Sequence, residues 1–378
     1  MVIVMDSNQK KFNIYVFLST FARNLVELFI PIMLYKFGYD IKDVIFYLLM
    51  MNVFSLIMSY PSTMFSNKFG NKAFTVVGVI AFAVLQILLG NMWMGNSYLL
   101  CIGFLFALYR RGYWMPRRYY NLKVMGKNNI SSSYSIITIV NQLGIVISSY
   151  IGSLVLDFLS IDYLIVIAII LFLLSLLPIH FMEFEHKETN SKIEVLKTML
   201  SIPKRDLFMF ATYEIWYIVK FLFPIYLFLY VKETYQTVGI LSLITNLATM
   251  IFAYFYGKKI NKDKNFLKLS IFLICLVYFL KLNVFGVLLV VISFIEGIVC
   301  KMYEISVQKE FYALSKKFEY HSYNCVYDII QNLFRSLVTI VLYFIPDVRW
   351  MIILCLLVML SGMLVTFKKL KGRDYVKK

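Results

Sequence analysis

The chain has 378 residues, of which 61% are hydrophobic, 17% aromatic and only 16% charged, and its formal net charge is +17. Soluble proteins carry roughly a quarter of their residues as charges, so this composition excludes a soluble globular protein. The basic surplus does not signal nucleic acid, because Lys and Arg gather in particular loops. The three histidines and five scattered cysteines form neither a metal-ligand cluster nor a disulfide framework.

The first apolar run begins at Phe12 and continues past Arg23 and Glu27 without a small-residue cleavage site, so it reads as a membrane helix rather than a signal peptide. Apolar segments fall at about 12–35, 43–63, 73–93, 97–116, 133–155 and 162–181. After a polar stretch they resume at about 206–230, 237–256, 267–280, 284–304, 320–345 and 349–367. Most approach the roughly 20 residues that cross a bilayer. Backbone groups in lipid must be satisfied within their own segment, which predicts an all-α membrane protein of twelve transmembrane helices, six before the polar stretch and six after. The predicted units are 1–181, a central loop at 182–205, and 206–378 with a short basic tail.

Lys and Arg concentrate in the tails, in the central stretch and in the loops after segments 2, 4, 8 and 10. The alternate loops hold only Lys36, Lys42, Lys232, Lys281 and Arg349. The positive-inside bias therefore places both termini and the central loop in the cytoplasm, and a bacterial cytoplasmic membrane is the expected location. In the central loop Ile193, Leu196, Met199 and Leu200 make an amphipathic stripe, predicting a helix that lies on the membrane surface.

The stretch Thr63 to Lys72 is a short basic turn between two apolar runs, and its design returns at Gly257 to Lys264, half a chain later. Other features repeat in the same order: Pro31 with Pro224, Asn52 with Asn246, and Asn141-Gln142 with Gln331-Asn332. Such recurrence indicates two copies of one membrane unit. With these two halves and cytoplasmic termini, the chain resembles the major facilitator superfamily (MFS). Its loop signature G-x-x-x-D-R-x-G-R-K is matched in degenerate form: Asn67 stands for the Asp, Lys68 for the Arg, and Gly70 and Lys72 are kept. The second copy keeps Gly257, with Asn261 and Lys262 following. The resemblance implies that this loop gates the interconversion of open states. From the residues themselves, Gly70 permits a turn with positive φ and the lysines can anchor at anionic headgroups. Gly144-x3-Ser148-Ser149-x2-Gly152-Ser153 has the spacing of the superfamily's antiporter motif without its proline. Close helix packing through small residues is the alternative.

Charges within the apolar segments cost about 2.5–3.5 kcal/mol each at mid-membrane and are candidate functional groups. Segment 1 carries Arg23 and Glu27; segment 4 Arg110 and Arg111, followed by Trp114; segment 7 Glu214 and Lys220 around Trp216 and Tyr217; segment 10 Glu296 and Lys301. These are the helices that, by the resemblance, line a central cavity. Segment 11 adds Asp328, Gln331, Asn332 and Arg335 on one helical face. Glu27, Arg23, Glu296 and Asp328 are the candidates for proton coupling. Arg110, Arg111, Trp114, Glu214, Trp216, Tyr217, Lys220, Lys301 and Arg335 are the candidates for the substrate cavity. Arg23–Glu27 is alternatively a structural ion pair, and Asp328 and Arg335 alternatively belong to a structural network between helices. Arg110 and Arg111 alternatively snorkel to the cytoplasmic face, and Arg117 and Arg118 are expected to do so. Pro31 and Pro224 read as paired hinges or simple kinks.

The expected function is secondary active transport by alternating access, by a monomer without cofactors or metal. It would move a small amphipathic or zwitterionic solute with protons, with export preferred. The alternatives are a flippase whose Arg110, Arg111 and Lys301 hold a lipid head group, and a non-transporting receptor or assembly factor. No nucleotide-binding loop or hydrolase motif is present, so a primary pump or an enzyme is not expected.

Overall fold

The computed structural model describes residues 7–124, 130–183, 192–232, 234–256 and 265–368, with no regular structure among them other than helix. The helices are α1 (Ser7–Val26), α2 (Ile30–Phe37), α3 (Ile41–Ile57), α4 (Ser59–Gly90), α5 (Asn96–Val124), α6 (Ile130–Phe158), α7 (Ile161–Leu174) and α8 (Leu176–His180). They continue with α9 (Val195–Ser201), α10 (Lys204–Tyr230), α11 (Tyr235–Tyr256), α12 (Asn265–Lys281), α13 (Val287–Ser315), α14 (Tyr320–Tyr343) and α15 (Val348–Lys368). Among the described residues, seven spans are long and apolar enough to cross a membrane by length and composition alone; two of them, Ser7–Phe37 and Ile161–His180, are each built from two elements. α5 and α13 fall outside that set because Arg110 and Arg111 in the one, and Glu296, Lys301 and Glu304 in the other, interrupt their apolar runs, and α3 and α12 have 17 residues each. Large apolar side chains such as Ile80, Ile87, Val166, Ile170, Phe272 and Phe279 point outward and are exposed, the surface expected of a protein solvated by lipid.

Residues 1–181 and 206–378 meet along two crossings, α3 on α14 and α6 on α11. At the second, the small-residue stripe of α6 lets backbones approach closely. Within residues 1–181 a Cβ on Gly152 would lie 2.5 Å from the Leu25 carbonyl oxygen of α1, and at the crossing itself one on Gly239 of α11 would lie 2.3 Å from Ser153 Oγ. Packing therefore accounts for this stripe. Ser242 donates to Ser149 across the same crossing at 3.2 Å. We call the end of the bundle where α1 begins and α5 ends the tail face.

The predicted basic turn is smaller than its sequence suggests. Helical geometry runs through Thr63–Lys72 except at Gly70, where φ is 89° and ψ 160°, and that single residue turns the chain. Lys72 is engaged by protein rather than left to lipid alone: it donates to the carbonyls of Met182 (2.6 Å) and His180 (3.2 Å), just past and at the end of α8. Lys68 lies over the Phe69 ring at 5.2 Å. The second copy of the turn, with Gly257, Asn261 and Lys262, lies outside the described residues.

The proline repeat is unequal. The first span breaks between Val26 and Ile30, with Pro31 in the first turn of α2, where its missing N–H is not required. α10 runs unbroken through Pro224, so the repeated proline goes with a helix break in one half only. On α9, Leu196, Met199 and Leu200 are exposed while Thr198 is buried, with α14 packed alongside. That orientation suits the predicted surface helix.

The Gly70 backbone lies in a region open essentially to glycine. Gly70→Ala is expected to destabilise the protein by about 1–3 kcal/mol, read as a lowered melting temperature of the detergent-solubilised protein.

Candidate functional site

A cavity of about 380 Å³ lies between the two halves, walled by α1, α2, α3, α5, α6, α10, α11, α12, α13 and α14. Each of these helices is held by an apolar stripe against its neighbours, so the polar residues interspersed along it turn toward the centre. The wall changes character along its depth. Leu28, Pro31, Phe221, Pro224, Leu227, Val238 and Leu241 line the end remote from the tail face, where Lys281 reaches in from the end of α12 beside the Phe223 ring (4.1 Å), and the other charged groups lie at mid-depth and toward the tail face.

Every carboxylate on this wall is paired. Glu27 forms an ion pair with Arg23 one helical turn away at 3.1 Å, and Arg23 rests on the rings of Tyr113 and Trp114 at 5.1 and 5.0 Å. Glu214 meets Arg335, joining α10 to α14. Glu296 accepts Lys281 at 2.5 Å, the Tyr278 hydroxyl at 2.6 Å and Thr245 at 3.3 Å. Glu304 pairs with Lys301 at 3.0 Å. Asp328 takes two cations: Arg118 donates to both its oxygens at 2.8 Å, and Arg111 contacts it as well.

Arg110 and Lys220 lie outside this pairing. Neither has a carboxylate partner among the described residues, and each stands on an aromatic ring. The Arg110 guanidinium is 4.6 Å from the centre of the Tyr217 ring, against which Arg335 also lies at 4.4 Å. Lys220 Nζ is 3.7 Å from the Trp216 ring.

Toward the tail face the cavity ends in a polar latch between halves. Arg118 of α5 bonds Asn324 (2.7 Å) and Asp328 of α14. Asn121 donates to Tyr312 at 3.1 Å, and Tyr320 donates to the Met115 carbonyl at 3.2 Å. Arg111 is fixed from the other side by Ser62 Oγ (3.0 Å) and the Ser59 carbonyl (3.1 Å). At the opposite end the halves meet without an ion pair among the described residues. Lys36 lies 4.1 Å from the Tyr235 ring, Phe29 meets that ring edge-on, and Asp157 accepts the Gln236 N–H at 2.7 Å.

The structure thus gathers Arg23, Glu27, Arg110, Arg111, Trp114, Glu214, Trp216, Tyr217, Lys220, Glu296, Asp328 and Arg335 at one cavity. It leaves Lys301 out: that lysine is 2% exposed and reaches only its partner Glu304 at the wall. Tyr113 and Tyr303 lie behind the wall, beneath Arg23 and against Trp216 respectively. Arg117 and Arg118 do not snorkel. Arg117 is buried and donates to Asn141 (2.7 Å), Thr20 (3.2 Å) and Tyr113, because α1 and α6 of its own half supply partners, while α14 of the other half supplies those of Arg118. Sequence reasoning assigned Lys281 to a loop, yet it is 2% exposed and holds Glu296. Its spacing from Tyr278, three positions back on a helix, was the available signal.

A family model for the Major Facilitator Superfamily matches residues 12–339. The chain belongs to that superfamily. As an MFS protein it is a membrane transporter, not an enzyme, and its fold is the MFS fold. Solved structures agree in fold. The human organic anion transporter MFSD10 (TETRAN) superposes with a TM-score of 0.65 at 9% identity, covering 95% of this chain and 99% of that one. A bacterial homologue of the iron transporter ferroportin, in an outward-facing state, superposes with a TM-score of 0.69 at 8% identity, covering 96% and 98%. At such identities the likeness is one of fold alone. Among curated proteins none matches the sequence significantly.

Removing one member of a buried ion pair leaves the other charge uncompensated and costs about 3–5 kcal/mol. Asp328→Asn is therefore expected to loosen the latch. The readout is Cys325, which is fully buried on α14 with its thiol 3.7 Å from the Ser59 carbonyl. Its maleimide labelling, followed by peptide mapping to separate it from the exposed Cys101, should rise several-fold in the variant.

Proposed function

We propose that this MFS transporter moves a small amphipathic organic solute by proton-coupled alternating access, residues 1–181 and 206–378 rocking about the α3–α14 and α6–α11 crossings as a monomer. The observation that carries the reading is the placement of Glu27 in one half and Glu296 in the other, each beside a cation, on the wall of the same cavity. Protonation of either carboxylate releases its cation partner, so proton occupancy and the charge offered to solute are linked. The wall, charged at mid-depth and apolar at one end, suits an amphipathic molecule. The Lys/Arg distribution of the loops favours a cytoplasmic latch, so the opposite end, closed by separate small contacts, is the one that opens more readily from this conformation.

The flippase alternative is weakened in its original form, because two of its three head-group cations are engaged, Arg111 by Asp328 and Lys301 by Glu304.

Proteoliposomes with an imposed pH gradient and labelled aryl carboxylates, amines and zwitterions provide the test. Gradient-driven flux should be present in the wild type and fall at least tenfold in Glu27→Gln or Glu296→Gln, a loss of about 1.4 kcal/mol or more in coupling. Full flux in both variants would remove the proton from the mechanism. Lipid scrambling in place of solute flux would establish the flippase.

A further inference from the structure

The charge balance of the cavity is more specific than its amphipathic shape. Its five carboxylates engage six cations, and Arg110 and Lys220 are left over, one from each half of the transporter. A cation in low dielectric without a counter-charge is costly, and a ring face returns only part of what a carboxylate would supply. Arg110 keeps Nη1 buried without a hydrogen-bond partner, and Arg335, against the same Tyr217 ring, keeps Nε and Nη1 so. Lys220 is the converse case, exposed to the cavity above the Trp216 ring. Both halves therefore hold donor-rich cations at the solute space that no carboxylate among the described residues bonds directly.

We infer that the solute is an amphipathic anion, its carboxylate, phosphate or sulfate group received by Arg110 from one half and Lys220 from the other. This deepens the transport reading and rests on it. The apolar body of such a molecule would lie among Phe221, Pro224, Leu227 and Leu241, toward the end of the cavity remote from the latch. An anion held by both halves adds a charged bridge to the Arg110–Tyr217 contact between them, so occupancy favours the arrangement in which Arg110 and Lys220 reach the same molecule.

The test uses the full chain in phosphatidylcholine nanodiscs and three probes with one apolar body: phenylbutyrate, phenylbutyramide and phenylbutylamine. Trp114 and Trp216 line the cavity and report through intrinsic fluorescence. Saturable quenching and a raised melting temperature are expected with the carboxylate only. Arg110→Gln and Lys220→Gln should each weaken it roughly tenfold to a hundredfold, the worth of one charge-assisted hydrogen bond, and Arg110→Lys should restore part of the loss. Replacing phosphatidylcholine by phosphatidylglycerol separates the sources. If the anionic lipid raises the melting temperature through Arg110 and Lys220 and blocks the probe, the acidic group is a lipid head group; if it does neither, the ligand is a free organic anion. A ligand-free arm guards against an ill-chosen body: Lys220→Met should raise the melting temperature, because it removes an unpaired charge, while Arg335→Met should lower it, because it orphans Glu214.

Equal responses to carboxylate and amide, a stronger response to the amine, or a Lys220→Met protein less stable than wild type would each overturn the proposal. Binding that needs both cations but drives no proton-dependent flux would keep the anion site and reject the proton-coupled reading. Proton-driven flux of amines or neutral solutes alone would do the reverse.

Discussion

A charge buried in a medium of low dielectric must find a counter-charge, and in this protein the demand is met mostly between helices rather than within them. Asp328 is the clearest case. It sits on α14 and holds Arg111 and Arg118, both from α5, so one carboxylate ties the two halves together at the end of the cavity. Neither arginine can leave without carrying an unsolvated guanidinium through apolar surroundings, and Asp328 cannot leave without orphaning both. The latch is therefore stable when closed and depends on water entry to open, which is the behaviour required of a gate.

The opposite end is sealed by different means. Lys36 on the Tyr235 ring, Phe29 edge-on to the same ring and Asp157 beneath the first N–H groups of α11 are separate small contacts without a shared charge network. Such contacts separate one at a time. The asymmetry between a charged latch and an aromatic cover gives the two ends of the cavity different costs of opening, and any coupling ion or solute acts on that difference.

Aromatic residues next to the intramembrane cations serve as supports. Trp114 and Tyr113 carry Arg23, Tyr217 carries Arg110 and Arg335, and Trp216 carries Lys220. A ring face offers a cation partial electrostatic relief without a formal negative charge, so the cation keeps its capacity to bind something else. This is how a membrane cavity can hold more positive than negative groups and still fold.

Composition, the length of the apolar runs and the placement of Lys and Arg were enough to define an all-α membrane protein of this superfamily and to name most of the residues that meet at the cavity. They suffice because hydrophobicity and helical period are local properties, and because a charge within an apolar run is conspicuous in a linear chain. Partner choice is not local. Nothing in the sequence pairs Asp328 with Arg118 rather than Arg335, or brings Lys281 to Glu296; those pairings exist because α5 meets α14 and α12 packs on α13. Local backbone context also escaped the linear reading, for Pro31 and Pro224 look alike in sequence while only the first follows a break. The sequence by itself determined which charges enter the membrane. Only the tertiary structure decided which of them neutralise one another and which two stand on ring faces instead, since that depends on distances between helices far apart in the chain.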